Sequence, residues 1–131
     1  MSSVIRKVTL RKYGDNRGEL VENTLEAIVT GSKHFFVSRS RPGVTRANHY
    51  HKRKSEWFYV IQGTCKLIVK DLKTEKREEH LISYEDKVMI NIGPNVAHAF
   101  KNIGNTEMIL LALVNEVHNQ DDPDTYSYSL V

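Results

Sequence analysis

The sequence predicts an all-β sandwich or barrel. Three observations carry that expectation: short runs rich in β-branched and aromatic residues, turn residues between them at close and regular intervals, and no long segment with a 3.6-residue apolar period. The spacing suits roughly ten strands. Val4 to Leu10 alternates weakly, and Asn23 to Ile28 has room for a helical turn or two. His34 to Ser38 and Trp57 to Ile61 read as strands on their aromatic and β-branched content. Gln62-Gly63 turns the chain. Cys65, Leu67 and Val69 then share one strand face, with Lys66 and Lys70 on the other. Asp71 to Lys76 is a polar hairpin loop, Lys87 to Ile92 and Met108 to Val114 are further strands, and Asn102 to Thr106 is a turn carrying Gly104. The tail from Asn119 to Val131 is polar but holds Tyr126 and Tyr128, so it is expected to dock on the body.

The 131 residues fit one domain, 1–131, with one core. No apolar run approaches the ~20 residues needed to span a bilayer. The start, Met1-Ser2-Ser3-Val4-Ile5-Arg6-Lys7, lacks the apolar core of a secretory leader, and the single cysteine, Cys65, leaves no intrachain disulfide to form. Together these point to the cytoplasm and away from a membrane. The net charge is +3, with both signs mixed along the chain. Arg39, Arg41, Arg46, Lys52, Arg53 and Lys54 make the densest basic region. It reads either as a solvated face or as a collar for an anionic small ligand such as a phosphate ester. Nucleic acid is not expected, because no recognition motif and no stacking series accompanies these residues.

The most informative stretch runs from Gly43 through His49, His51 and Glu56 to Gly63. Residues i and i+2 of a strand point to one face, so His49 and His51 aim two imidazoles at one spot. Glu56 enters the next strand and reaches back to that spot, and His98 comes from another strand. Three imidazoles and a carboxylate suit a divalent metal: Zn is the expected ion, with Mn, Fe, Ni or Co as alternatives that ligand softness does not separate. A site without metal, in which a histidine acts as a base, stays open beside it. His34, His80 and His118 read as surface or hydrogen-bonded residues.

These residues resemble the cupin superfamily. Its first motif, G-x5-H-x-H-x3-4-E-x6-G, is matched by Gly43, His49, His51, Glu56 and Gly63. Its second, G-x5-P-x-G-x2-H-x3-N, is matched in part by His98 and Asn102; Pro94 is one residue too close to His98, and Glu85 and Val96 are read in place of the two glycines. The resemblance implies a double-stranded β-helix, or jelly roll, commonly paired as a homodimer, an association that would cover exposed sheet edges. Within cupins, Asp15-Asn-Arg17-Gly18-Glu-Leu, the stretch from Arg41 to His51, Asn115-Glu116 and Asp122-Pro-Asp124-Thr-Tyr126 resemble the C-terminal domain of bifunctional capsular-polysaccharide enzymes. Those enzymes act on UDP-linked 4-keto-6-deoxy-2-acetamido sugars. The resemblance implies C3 epimerisation by this domain, with reduction left to a separate reductase, and metal ligation by His49, His51, Glu56 and His98. More distantly the chain is similar to dTDP-sugar 3,5-epimerases and 3,4-ketoisomerases through the Arg-x-x-His pattern at Arg46 to His49. That similarity implies a base at His49 and a sugar-nucleotide contact at Arg46. Ligand and base are competing roles for His49.

The implied chemistry sets requirements. The hydrogen on C3 of a 4-keto sugar is acidified by the carbonyl, so its removal needs a base near neutral pKa, and the enolate needs a positive partner. His49 and His51 are the candidates for proton transfer. Arg46 is expected to assist them, and Tyr126 heads the possible acids, with Tyr50 and Tyr59 behind it. Arg39, Arg41, Arg46 and Lys54 are the candidates for holding the diphosphate of a nucleotide-linked keto sugar.

Overall fold

The computed structural model describes residues 3–131. Met1 and Ser2, at the head of the segment read for a leader, lie outside the described residues. The described residues form twelve strands, one short α-helix and a 3-10 turn at Tyr84–Asp86: β1 Arg6–Thr9, β2 Arg11–Asp15, β3 Gly18–Glu22, α1 Glu26–Thr30, β4 His34–Ser40, β5 Thr45–Tyr50, β6 Glu56–Gln62, β7 Thr64–Asp71, β8 Arg77–Ser83, β9 Val88–Ile92, β10 Val96–Asn102, β11 Met108–Val114 and β12 Tyr126–Ser127. They form two five-stranded antiparallel sheets, ordered β1-β9-β6-β11-β4 and β12-β5-β10-β7-β8, with β2-β3 as a separate hairpin.

Alternation along the strands builds the core. In β6, Glu56, Phe58 and Val60 are buried between the sheets, and Trp57 and Tyr59 face the other way. In β11, Met108, Leu110, Ala112 and Val114 are buried. In β7, Cys65, Leu67 and Val69 are fully buried, as their spacing predicts, and Ile68 on the opposite face is buried too. A second cluster sits outside the first sheet, where Leu10, Ile28 and Met89 pack with Val21, Trp57, Tyr59 and Leu113. Each fully buried large apolar side chain stabilises the fold by about 1.5–3 kcal/mol, so the two clusters account for the sandwich without a disulfide.

The helical turn starts later than the sequence suggests. Asn23 forms a side-chain turn instead: its Oδ1 accepts from the Leu25 amide at 2.9 Å, and its Nδ2 donates to the Leu25 carbonyl at 2.9 Å. The helix therefore occupies Glu26–Thr30, held down by the buried Ile28. Two regions not expected to be strands, β2-β3 and β8, carry charged residues beside exposed Tyr13, Leu20 and Leu81, so no clean alternation marks them. The tail docks: Tyr126 pairs with Tyr50 through β12.

Backbone conformation explains the cupin glycines. Gly43 and Gly63 have φ of 82° and 95°. A Cβ on Gly63 would lie 3.1 Å from the Glu107 carbonyl oxygen and 3.1 Å from the Met108 Cα, whereas Gly43 faces open space. Gly63→Ala should therefore cost about 2–4 kcal/mol, combining left-handed strain with overpacking. Gly43→Ala should cost about 1–2 kcal/mol from strain. Urea midpoints of the two variants check the ordering. The second motif needs a correction. Counted back from His98, its glycine positions fall on Lys87 and Asn95, not on Glu85 and Val96. Lys87 and Asn95 have φ of 52° and 61°, so the left-handed turns are kept without glycine. The Asn95 amide also donates to the His51 carbonyl at 2.7 Å, tying the turn before β10 to the end of β5.

Candidate metal centre and cavity

Between the sheets, open at one end, lies a cavity of about 400 Å³. Phe58, Phe100, Leu110 and Val114 give it apolar walls, and His49, His51, Glu56 and His98 meet along it. The strand register brings these four together. His98 on β10 lies opposite His49 on β5, and Glu56 begins β6 in the facing sheet. β5 carries a bulge with Ala47 and Asn48 at φ 72° and 54°, where the pairing with β10 slips. This explains the Arg-x-x-His spacing. Residues three apart in a regular strand face opposite ways, but the bulge puts both Arg46 and His49 on the cavity wall.

The three imidazole rings crowd one another. The His49 ring centroid lies 4.8 Å from that of His51 and 4.8 Å from that of His98. The four potential donor atoms all fall within 4.8 Å of one another. Atoms bound about 2.1 Å from one ion lie about 3.4 Å apart in a tetrahedron, so small side-chain shifts close the set.

Hydrogen bonds outside the cluster fix which nitrogens face inward. His51 Nδ1 donates to the Asp124 carbonyl at 2.7 Å, and His98 Nδ1 donates to the Val96 carbonyl at 3.0 Å. Neutral rings held this way present Nε2 lone pairs to the cluster. His98 Nε2 is buried, has no hydrogen-bond partner among the described residues, and lies 3.5 Å from Glu56 Oε1. His51 Nε2 lies 2.9 Å from the same oxygen. Lone pairs facing a carboxylate at these distances need a cation between them. A proton on His51 serves in part: burial opposes its charge, but the Glu56 carboxylate holds it above the usual histidine value. Burial and the neighbouring rings push His49 down to about 4, and burial also lowers His98. Two neutral imidazoles, a third shared with a carboxylate, and an orphaned inward nitrogen fit a divalent cation.

The polar rim contains fewer of the expected cations than the basic run suggests. Arg46 lines the cavity, its Nε donating to Ser40 Oγ at 2.8 Å and its Nη2 to the Arg39 carbonyl at 2.7 Å. Lys54 also lines it and is only 5% exposed, with Nζ donating to the Pro123 carbonyl at 3.0 Å and no ion pair among the described residues. Arg39 and Arg41 do not line it. On β4 the cavity side is His34, Phe36 and Ser38, so Arg39 takes the opposite face, where it pairs with Glu107 at 2.7 Å. Tyr126 is also away from the site. It stacks on Tyr50, centroids 5.3 Å apart, and Tyr50 alternates with His49 and His51 and so faces outward. Tyr59 packs in the outer cluster. His34 and His118, read from sequence as ordinary surface or hydrogen-bonded residues, line the cavity, and His80 pairs with Glu78 elsewhere.

The description of the polysaccharide biosynthesis C-terminal domain matches residues 13–126. The chain belongs to the polysaccharide biosynthesis C-terminal domain family. Among curated proteins it is similar to the UDP-2-acetamido-2,6-beta-L-arabino-hexul-4-ose reductase of Pseudomonas aeruginosa, 33% identical over 118 residues that cover 90% of this chain and 31% of that protein. Among solved structures it is similar to the capsular polysaccharide assembling protein CapF of Staphylococcus aureus, with a TM-score of 0.72, 27% identity, and coverage of 94% of this chain and 33% of that one. This member of the family therefore spans about a third of the length of either relative. It also superposes on a dTDP-4-dehydrorhamnose 3,5-epimerase of Sulfolobus tokodaii, with a TM-score of 0.83, 21% identity, and coverage of 99% of this chain and 80% of that one. That likeness is one of fold, and the fold is the cupin jelly roll.

Proposed function

We propose that this domain is a nucleotide-sugar epimerase that inverts C3 of a nucleotide-linked 4-keto-6-deoxy sugar during polysaccharide biosynthesis. The observation that carries the reading is the buried cluster of His49, His51, Glu56 and His98, with an unsatisfied His98 nitrogen, on the wall of a ring-sized cavity. Family membership and the likeness to a hexul-4-ose enzyme supply the substrate class. The four residues would hold a divalent ion, Zn first among the candidates, which when bound supplies Lewis-acid stabilisation to an oxyanion.

The remaining groups have separable tasks. The apolar walls seat the sugar ring and exclude water, which strengthens every charge interaction inside. Lys54 is a nearly buried ammonium with donors to spare and suits the developing enolate or a phosphate oxygen. Arg46, braced by Ser40 and the Arg39 carbonyl, suits the diphosphate. Arg39 and Arg41 stay candidates for the nucleotide beyond the cavity. Arg46→Ala should raise KM more than it lowers kcat, and steady-state kinetics on the 4-keto substrate check this.

The wider reading is a homodimer working in the cytoplasm beside a reductase that consumes the ketone. The dimer is supported by the edge strand β4, whose outward Phe35 is 66% exposed. Among the described residues no helix is long and apolar enough to cross a membrane. The test of function is NMR of the product formed from UDP- and dTDP-linked 4-keto-6-deoxy sugars. Inversion at C3 with the ketone kept at C4 supports the epimerase. A ketone found at C3 identifies a ketoisomerase instead. No turnover of either substrate, with metal supplied, leaves a binding module.

A further inference from the structure

We propose that His34 is the catalytic base that removes the C3 proton, an assignment that rests on the epimerase reading. If His49 and His51 are spent on a metal, neither is free to act as a base. The cavity supplies another imidazole. His34 begins β4, lies opposite Val114 on β11, and Val114 in turn lies opposite Glu56 on β6. Residues in register across a sheet project from the same face, so His34 and Glu56 both face the cavity, two strand spacings or roughly 10 Å apart along the sheet. A sugar ring placed over Val114 would have the metal cluster on one side and His34 on the other.

The His34 tautomer is fixed in the way a base requires. Its Nδ1 lies 3.0 Å from the Glu116 carbonyl oxygen, which only accepts, so Nδ1 carries the hydrogen and Nε2 carries the lone pair. The ring is half-buried, and no acid pairs with it among the described residues. His118 also borders the cavity but is exposed on the loop after Glu116.

The step balances as follows. Nε2 of His34 takes the C3 proton, the C3–H electron pair becomes the C3=C4 bond, and the carbonyl pair moves onto the C4 oxygen. Protonation of C3 from the opposite face, with the proton drawn from water, restores the ketone and inverts the centre. The imidazolium of His34 returns its proton to water.

The test compares wild type, His34→Gln and His118→Gln for deuterium entry at C3 of UDP- and dTDP-linked 4-keto-6-deoxy sugars in D2O. Metal content and nucleotide-sugar affinity are measured on the same samples. Glutamine can still donate to the Glu116 carbonyl but accepts no proton. His34→Gln should lower exchange 10²–10⁴-fold, with metal per chain unchanged and affinity within about threefold. His118→Gln should exchange nearly as fast as wild type. Exchange by His34→Gln within tenfold of wild type overturns the assignment, as does a loss of exchange accompanied by loss of metal. A wild type that exchanges nothing sinks the epimerase reading itself, and the wild-type arm reports that separately.

Discussion

His51→Ala is expected to empty the proposed metal centre and slow C3 exchange by at least 10²–10³-fold. The magnitude is that of losing one stabiliser of a developing oxyanion, roughly 2.7–4 kcal/mol. His51 is the pivot of the cluster. Its Nε2 is the nearest partner of Glu56, at 2.9 Å, and its ring contacts both other imidazoles. Without it Glu56 is left buried with a single histidine nitrogen, that of His98, 3.5 Å away. Elemental analysis of protein purified without chelator should find near one metal per wild-type chain and almost none in the variant. Full metal content in a His49→Ala, His51→Ala double variant would remove the proposed site.

Asp124→Ala is expected to weaken both the fold and the site. The Asp124 carboxylate accepts from the backbone amides of Lys52, Arg53 and Lys54 at 2.8–2.9 Å, and its carbonyl accepts from His51 Nδ1. Although burial works the other way, these amides keep its carboxyl below the usual carboxylate range. One residue of the tail therefore shapes the loop between β5 and β6 and sets the His51 tautomer. Hydrogen bonds to a charged group contribute about 1.5–3 kcal/mol each, but the exposed amides of Lys52 and Arg53 regain water. The net loss should be about 2–4 kcal/mol, read as a lower urea midpoint. The backbone carbonyl that accepts from His51 Nδ1 is kept in the variant, so metal affinity should fall only through the loosened tail, by less than the 10–100-fold expected when support behind a ligand histidine is lost outright. Asp124→Asn keeps one acceptor oxygen and should lie between. An unchanged metal affinity in Asp124→Ala would show that the Asp124 carbonyl keeps its place on His51 without the carboxylate.

The jelly roll was legible because alternation and turn chemistry are local. Cys65, Leu67 and Val69 announce a buried face by spacing alone. The gathering of His49, His51 and Glu56 was legible because they sit on adjoining segments, within the reach of strand geometry. The rest depended on pairing across the sandwich. Nothing in the sequence shows that His34 lies in line with Glu56, because Val114 joins them only through the register of three strands. Asp124 was seen as part of a family-like ending, but its role needs the tail to fold back 73 residues onto His51. Arg39 and Arg41 lay in a basic run that charge alone could not divide, and strand parity sends Arg39 to the outer face. Tyr126 is turned outward by its pairing with Tyr50, a partner the sequence does not name. The bulge at Ala47 and Asn48 carries no glycine to announce it, yet it decides that Arg46 and His49 share a wall.

The most direct test of the account is deuterium entry at C3 of a nucleotide-linked 4-keto-6-deoxy sugar in D2O, followed by NMR with metal-loaded and with chelator-stripped protein. The account predicts exchange by the loaded protein, its loss of at least 10²-fold on stripping, and its return when the divalent ion is restored. Equal exchange in both preparations, or none in either, would contradict it.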